Sequence, residues 1–161
     1  MRGTTLILAA ALVAVLAIAP AASAGPRLNA FERAVIAELN DARAAQGLAA
    51  LRPCRGLNRA ADRHSRDMLR RDFFDHPSSD GTPFDRRVRR FAKVSSVGET
   101  LAALPQRTGG AETVVQMWLE SPAHRGIVLA PGFRRIGIGR RWGSLGATES
   151  AVVTADFASA D

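Results

Sequence analysis

Between Asn29 and Gln46 the apolar residues Phe31, Val35, Ile36, Leu39 and Ala42 recur at helical spacing. Asn29 suits an N-cap and Gly47 a C-terminal stop. A second amphipathic helix is predicted from about Leu57 to Arg71. Leu57, Ala60, Ala61, His64, Met68 and Leu69 share one face, while Arg59, Arg63, Arg66 and Arg70 lie largely away from it. Pro77 to Pro83 is turn chemistry throughout, and Pro83 opens a short Arg-rich helix through Arg90.

Gly98 to Ala103 reads as a short strand or extended segment. Thr108-Gly109-Gly110 breaks the chain before a helix from about Ala111 to Glu120. Ser121 and Pro122 restart a helix, Ser as N-cap and Pro at the first helical position, ending near Ala130-Pro131-Gly132. Phe133–Trp142 and Ala151–Ala158 alternate in polarity and predict a closing β-hairpin across Gly143-Ser144-Leu145-Gly146. Helices first and strands later, with few βαβ units, predict an α+β layered domain.

Composition bounds this picture. A chain of 161 residues that is 47% hydrophobic builds one packed domain, which excludes wholesale disorder. Its first 24 residues look like an address. Arg2 precedes the unbroken apolar run Leu6–Ala19, and Ala22-Ser23-Ala24 forms a small-x-small cleavage pattern before Gly25. The expectation is a signal peptide over 1–24, a domain over 25–161, and a secreted or periplasmic product that is not an integral membrane protein. Loss of Arg2 with that segment lowers the net charge from +7 to +6. The lone Cys54 excludes a cystine scaffold and reads as a small, buried apolar residue. Of the 22 basic residues all but Lys93 are Arg, yet Tyr is absent and aromatics total 6%, so nucleic acid is not the expected partner.

The candidate chemistry rests on three histidines and two acids. His64 lies on the apolar face of the second helix, and His76 follows that helix in Phe73-Phe74-Asp75-His76-Pro77. His124 sits in the first turn of its helix, where the dipole favours a neutral imidazole able to bind metal. Glu99 is embedded in an apolar stretch, and Glu120 closes a helix four residues before His124. There is no H-E-x-x-H, C-x-x-C or G-x-S-x-G word, and Gly137-Ile138-Gly139 is a lone G-x-G within a strand. On residue types alone, individually satisfied His and Glu side chains lead.

The words are more specific in their order. Leu57-Asn58-Arg59-Ala60-Ala61-Asp62-Arg63-His64-Ser65 is followed by Phe73-Phe74-Asp75-His76 and Asp80-Gly81-Thr82-Pro83-Phe84-Asp85-Arg86. Then come Gly98-Glu99-Thr100-Leu101-Ala102, Trp118-Leu119-Glu120-Ser121-Pro122-Ala123-His124-Arg125 and Phe133-Arg134-Arg135-Ile136-Gly137-Ile138-Gly139. Over residues 29–158 this resembles the bacterial branch of the CAP superfamily, the cysteine-rich secretory, antigen 5 and pathogenesis-related proteins that carry an SCP domain.

The resemblance implies an α-β-α sandwich with a central antiparallel sheet and an open cleft lined by two His and two acids. His76 matches the first cleft His, His124 the second, and Glu99 the acid of the Gly-Glu-Asn word, with Thr100 in place of Asn. For the second acid, Ser121 holds the usual spacing from Trp118 and Glu120 comes one residue early. His64-Ser65 belongs to the bacterial version and could enlarge the cleft set. His76, His124 and Glu99 together suit a divalent metal such as zinc with an open water position.

Three functions follow as expectations for this monomer. The favoured one is a secreted module whose cleft binds a metal or a small amphipathic ligand. A metal-dependent hydrolase would use the same cleft with Glu99 as general base. An envelope-adhesion protein would dock its Arg-rich surface on an anionic envelope component.

Overall fold

The computed structural model describes residues 28–105 and 109–160; the expected signal peptide lies outside the described residues. Helix α1 (Ala30–Ala44) opens on a capping box. Asn29 Oδ1 accepts from the Glu32 amide at 2.9 Å, and Glu32 Oε2 accepts from the Asn29 amide at 3.0 Å. Gly47, at φ +67°, turns the chain out of it as predicted. A two-residue strand, β1 (Arg52–Pro53), precedes helix α2 (Arg55–Arg71). Helix α3 (Phe84–Arg89), strand β2 (Val97–Pro105), helices α4 (Ala111–Glu120) and α5 (Pro122–Val128), and strands β3 (Phe133–Leu145) and β4 (Thr148–Ser159) complete the order.

The sheet order is β1-β3-β4-β2, antiparallel except where β1 joins β3 in parallel. One expectation needs correction and one element was not foreseen. β1 was not legible, because two residues are too few to carry a period. The hairpin turn is confined to the end of the expected Gly143–Gly146 span, since the ladder continues to Leu145↔Thr148 and the chain reverses at Gly146-Ala147, with Gly146 at φ +58°.

The sheet has two differently used faces. Ala102, Leu104, Ile136, Ile138, Val153, Ala155 and Phe157 pack against Val35, Leu39, Val114 and Trp118 of α1 and α4 in the main core. Burying the Val, Leu, Ile and Phe side chains among them contributes roughly 1.5–3 kcal/mol each. The opposite face carries Glu99, Leu101, Val152, Thr154 and Asp156, together with Gly137 and Gly139, under α2. The Gly-Ile-Gly word is explained here. A Cβ on Gly137 would stand 2.1 Å from the Leu57 carbonyl carbon, and one on Gly139 would stand 2.3 Å from the Asp62 amide nitrogen. With no side chain at either position, α2 lies directly on β3, and Ser65 Oγ reaches the Gly139 carbonyl at 3.0 Å and Thr154 Oγ1 at 2.9 Å.

On the main-core side of the sheet, Arg43 is fully buried. Its Nε donates to the Ala49 carbonyl (3.0 Å), Nη1 to Val128 (2.6 Å) and Ala130 (3.0 Å), and Nη2 to Phe133 (3.1 Å). One guanidinium thus ties the end of α1 to the end of α5 and the start of β3, holding the helix that carries His124. Among the described residues no helix is long and apolar enough to cross a membrane.

Candidate functional site

The site is built on the centre of β2. Strand alternation turns Glu99 toward α2, where its side chain is fully buried. Its Oε1 accepts from His76 Nδ1 at 2.8 Å, and its Oε2 accepts from Arg87 Nη2. Arg87 also donates through Nη1 to the His76 carbonyl (2.8 Å) and to Ser78 Oγ (3.2 Å). Arg87 therefore fixes both the acid and the backbone of the loop that presents His76. With Nδ1–H committed to Glu99, the imidazole has its Nε2 left for a ligand.

The charges follow from this packing. The hydrogen bond to Glu99 raises the His76 pKa, against the opposing pull of burial. For Glu99, burial pushes upward, but the His76 hydrogen bond and the Arg87 charge outweigh it, so the carboxyl lies below its ordinary value. Directly opposite on β4 stands Asp156, fully buried. Burial and then the Glu99 charge push its pKa well up, so it is held protonated. Its oxygens accept no N–H or hydroxyl donor, and a protonated carboxyl can itself donate to Glu99. The two acids thus divide into one anion and one neutral acid.

His64 is buried beside this group, with Nε2 2.9 Å from the Asp75 carbonyl and Nδ1 unpartnered. Nε2–H must be the donor in that contact, leaving Nδ1 an acceptor. Burial, then the Arg87 charge, lowers its pKa. His124 lies partly buried on α5, its pKa lowered by burial and by the neighbouring His76. Glu120 is on the surface, paired at 2.9 Å with Gln116 of its own helix. Cys54 is free and half-buried at the start of α2, against the Leu57–Val88 cluster.

Beside His76 opens a cavity of about 400 Å³ between β2 and α5, walled by Phe84, Val97, Ile127, Ala130 and Phe133. It is apolar apart from His76 and Glu99 at one end. The structure brings His76 and Glu99 into contact and places His124 within electrostatic reach of His76. Among the described residues no group of three His, Cys, Asp or Glu stands together as a ready cation cage.

Sequence reasoning missed Arg87 and Asp156. Both had a signal. Arg87 shares a face with Phe84 and Val88 at i, i+3 and i+4 spacing, and Asp156 is the one acid in the predicted Ala151–Ala158 strand, whose other residues apart from Thr154 are apolar.

Residues 36–154 match the CAP family, described as the cysteine-rich secretory protein family, and the chain belongs to it. It is 36% identical over 118 residues to the uncharacterized protein YkwD of Bacillus subtilis. That match covers 73% of this chain and 45% of YkwD, so the chain spans less than half the length of that relative. An extracellular SCP-domain protein from Bacillus anthracis superposes with a TM-score of 0.68 at 23% identity, covering 81% of this chain and 40% of the other. An outer surface protein of Borrelia burgdorferi gives 0.64 at 18%, covering 80% and 92%. Venom allergen-like protein 4 of Schistosoma mansoni gives 0.61 at 16%, covering 83% and 91%. At these identities the structural likenesses show the shared fold.

Proposed function

We propose that this CAP-family chain is an extracellular binding module whose cleft takes a small ligand with an apolar body and a polar head. The head would lie at His76 and His124 and the body along Phe84, Ile127 and Phe133. One observation carries the reading: both oxygens of Glu99 are committed, to His76 and to Arg87, inside the protein. A buried carboxylate so engaged serves to aim an imidazole rather than to remove a proton from water. Hydrolysis with Glu99 as general base would require water to reach a fully buried carboxylate and would neutralise the partner of buried Arg87, so binding is preferred. The extracellular and outer-surface neighbours are consistent with a secreted location.

A divalent cation such as Zn²⁺ fits the polar end as a loosely held head group. His76 and His124 would supply the nitrogen donors, and Glu99 on His76 Nδ1 is the outer carboxylate that commonly orients a ligating histidine. When bound, the ion would supply a Lewis-acidic charge to the ligand's polar group. His124 is kept neutral by its surroundings, whereas His76 must lose a proton, so cation binding weakens on acidification.

The test is a zinc titration followed by thermal melting and calorimetry at pH 7.5. Wild type should melt higher with zinc, and His76→Ala with His124→Ala should abolish the shift. The metal assignment fails if wild type shows no heat and no shift, or if the double variant keeps both.

A further inference from the structure

A second cavity, of about 630 Å³, lies between α2 and the Ser78–Phe91 segment. Arg63, Arg66, Arg70, Arg71, Arg87 and Arg90 line it, against only Asp67 and Asp80 among its lining acids. Helical spacing puts Arg63, Arg66 and Arg70 along one side of α2. Mutual repulsion would normally spread such groups toward solvent or toward acids. Here the two acids are already engaged. Asp67 accepts from the Ser79 amide and hydroxyl, both at 2.9 Å, and Asp80 accepts from the Thr82 amide at 2.9 Å. Arg66 is paired with Asp62 at 3.0 Å, and Arg87 with Glu99. The side chains of Arg70 and Arg71 make no hydrogen bond or ion pair among the described residues, and Arg63 is met by the Phe91 ring, 5.5 Å from its centroid.

An independent feature marks the inner wall. His64 lines this cavity, is 1% exposed, and its Nδ1 is a buried acceptor without a partner. Several guanidinium forks thus share this cavity with a lining histidine whose Nδ1 has no protein partner. A carboxylate offers two oxygens and saturates a single fork. A phosphate group offers more oxygens, enough for several forks at once.

We propose that this arginine-lined cavity binds a phosphate-bearing ligand, of the diphosphate or phosphomonoester class, at a site separate from the His76 cleft. Arg87 is the wall between them, its guanidinium bonded to Glu99 on one side and its side chain lining the basic cavity on the other. The site does not depend on the cleft reading, because none of its forks except Arg87 touches the cleft residues.

The probe is inorganic pyrophosphate, titrated calorimetrically into the purified chain at low salt. One equivalent should bind, with affinity falling steeply as salt screens the arginines. Arg70→Gln combined with Arg71→Gln should weaken binding at least tenfold. Arg33→Gln combined with Arg125→Gln removes the same net charge from α1 and α5 and should change it less than twofold. No binding to wild type, or equal losses in the two double variants, overturns the site, the latter because it would reveal attraction to net charge alone. A parallel arm uses phosphatidylcholine vesicles carrying phosphatidic acid. Vesicle binding displaced by pyrophosphate assigns a lipid head group as the source, absence of vesicle binding assigns a soluble phosphate, and vesicle binding that pyrophosphate leaves intact counts against the cavity as the phosphate site. Zinc titration of the Arg70/Arg71 variant should match wild type, which separates failure here from failure of the cleft.

Discussion

Replacing Asp156 with Asn tests the charge arrangement behind His76. In the folded protein Asp156 is fully buried opposite Glu99, and burial together with the Glu99 charge keeps its proton on. In the unfolded chain the same carboxyl ionises near pH ~3.9. Between that value and the raised folded value, the folded state holds a proton that the unfolded state has released. The contribution of Asp156 to stability is therefore full in acid and is lost as pH rises, by about 1.4 kcal/mol for each pH unit over which the folded carboxyl stays protonated. Asn does not titrate, so Asp156→Asn should gain on wild type at that rate. Its offset includes about 1–3 kcal/mol for an extra buried N–H without a partner. The variant should thus be level with or below wild type near pH 5 and overtake it toward pH 8.

Urea unfolding at pH 5, 6, 7 and 8 reads this directly, provided the denaturant slope is unchanged between the two proteins. Parallel stability profiles would refute the reasoning, because they would mean that Asp156 ionises in the fold as it does in the unfolded chain. Glu99→Gln supplies the complementary arm. Losing the charge beside buried Arg87 should cost about 3 kcal/mol, the low end for a broken buried pair, since Asp156 can ionise in its place. The pH gain of Asp156→Asn measured in the Glu99→Gln background should shrink accordingly.

Titration of the imidazoles by NMR should place His76 above its ordinary pKa and His124 below, and Glu99→Gln should lower His76, since the Glu99 hydrogen bond is what raises it. Stability linked to His76 is full below about pH 6.5 and lost as pH rises through its folded value; for His64 the sign reverses, with stability present above about 6.5 and lost on acidification. His64→Gln should therefore flatten the acid side of the stability curve, and an unchanged slope between pH 5 and 7 would count against a neutral buried His64. Gly137→Ala should cost about 3 kcal/mol or prevent folding, because backbone atoms of α2 occupy the place of the new Cβ; wild-type melting would show that α2 does not lie on β3 as described. Arg43→Met should cost roughly 3 kcal/mol by stranding four carbonyls and should weaken zinc binding through loss of the α5 anchor, whereas equal zinc affinity would show that α5 is held by other contacts.

The parts legible in advance were those with a period. Phe31, Val35, Ile36 and Leu39 announced α1, and the β4 alternation announced which residues face α1 and α4. His76 and Glu99 were legible as a pair only through the resemblance carried by the order of short words, since residue types and spacing alone left them as separate side chains. What could not be read was which polar groups share a proton or a carbonyl, since that depends on residues far apart in the chain. Glu99 and Asp156 are 57 positions apart and meet only through the β2–β4 register. Arg43 reaches carbonyls 85 to 90 positions away.

The same limit explains why the arginine excess reads, from sequence, as one solvated surface. In sequence, Arg70 and Arg71 look no different from Arg33 or Arg125. Only the packing of the Ser78–Phe91 segment over α2 separates them, by engaging the nearby aspartates with loop donors and leaving Arg70 and Arg71 without a carboxylate. Pattern thus locates the elements, while the balance of buried charge assigns roles to residues that pattern leaves equivalent. In this fold that balance passes through Arg87, whose removal would disturb the aim of His76 and the inner wall of the basic cavity together.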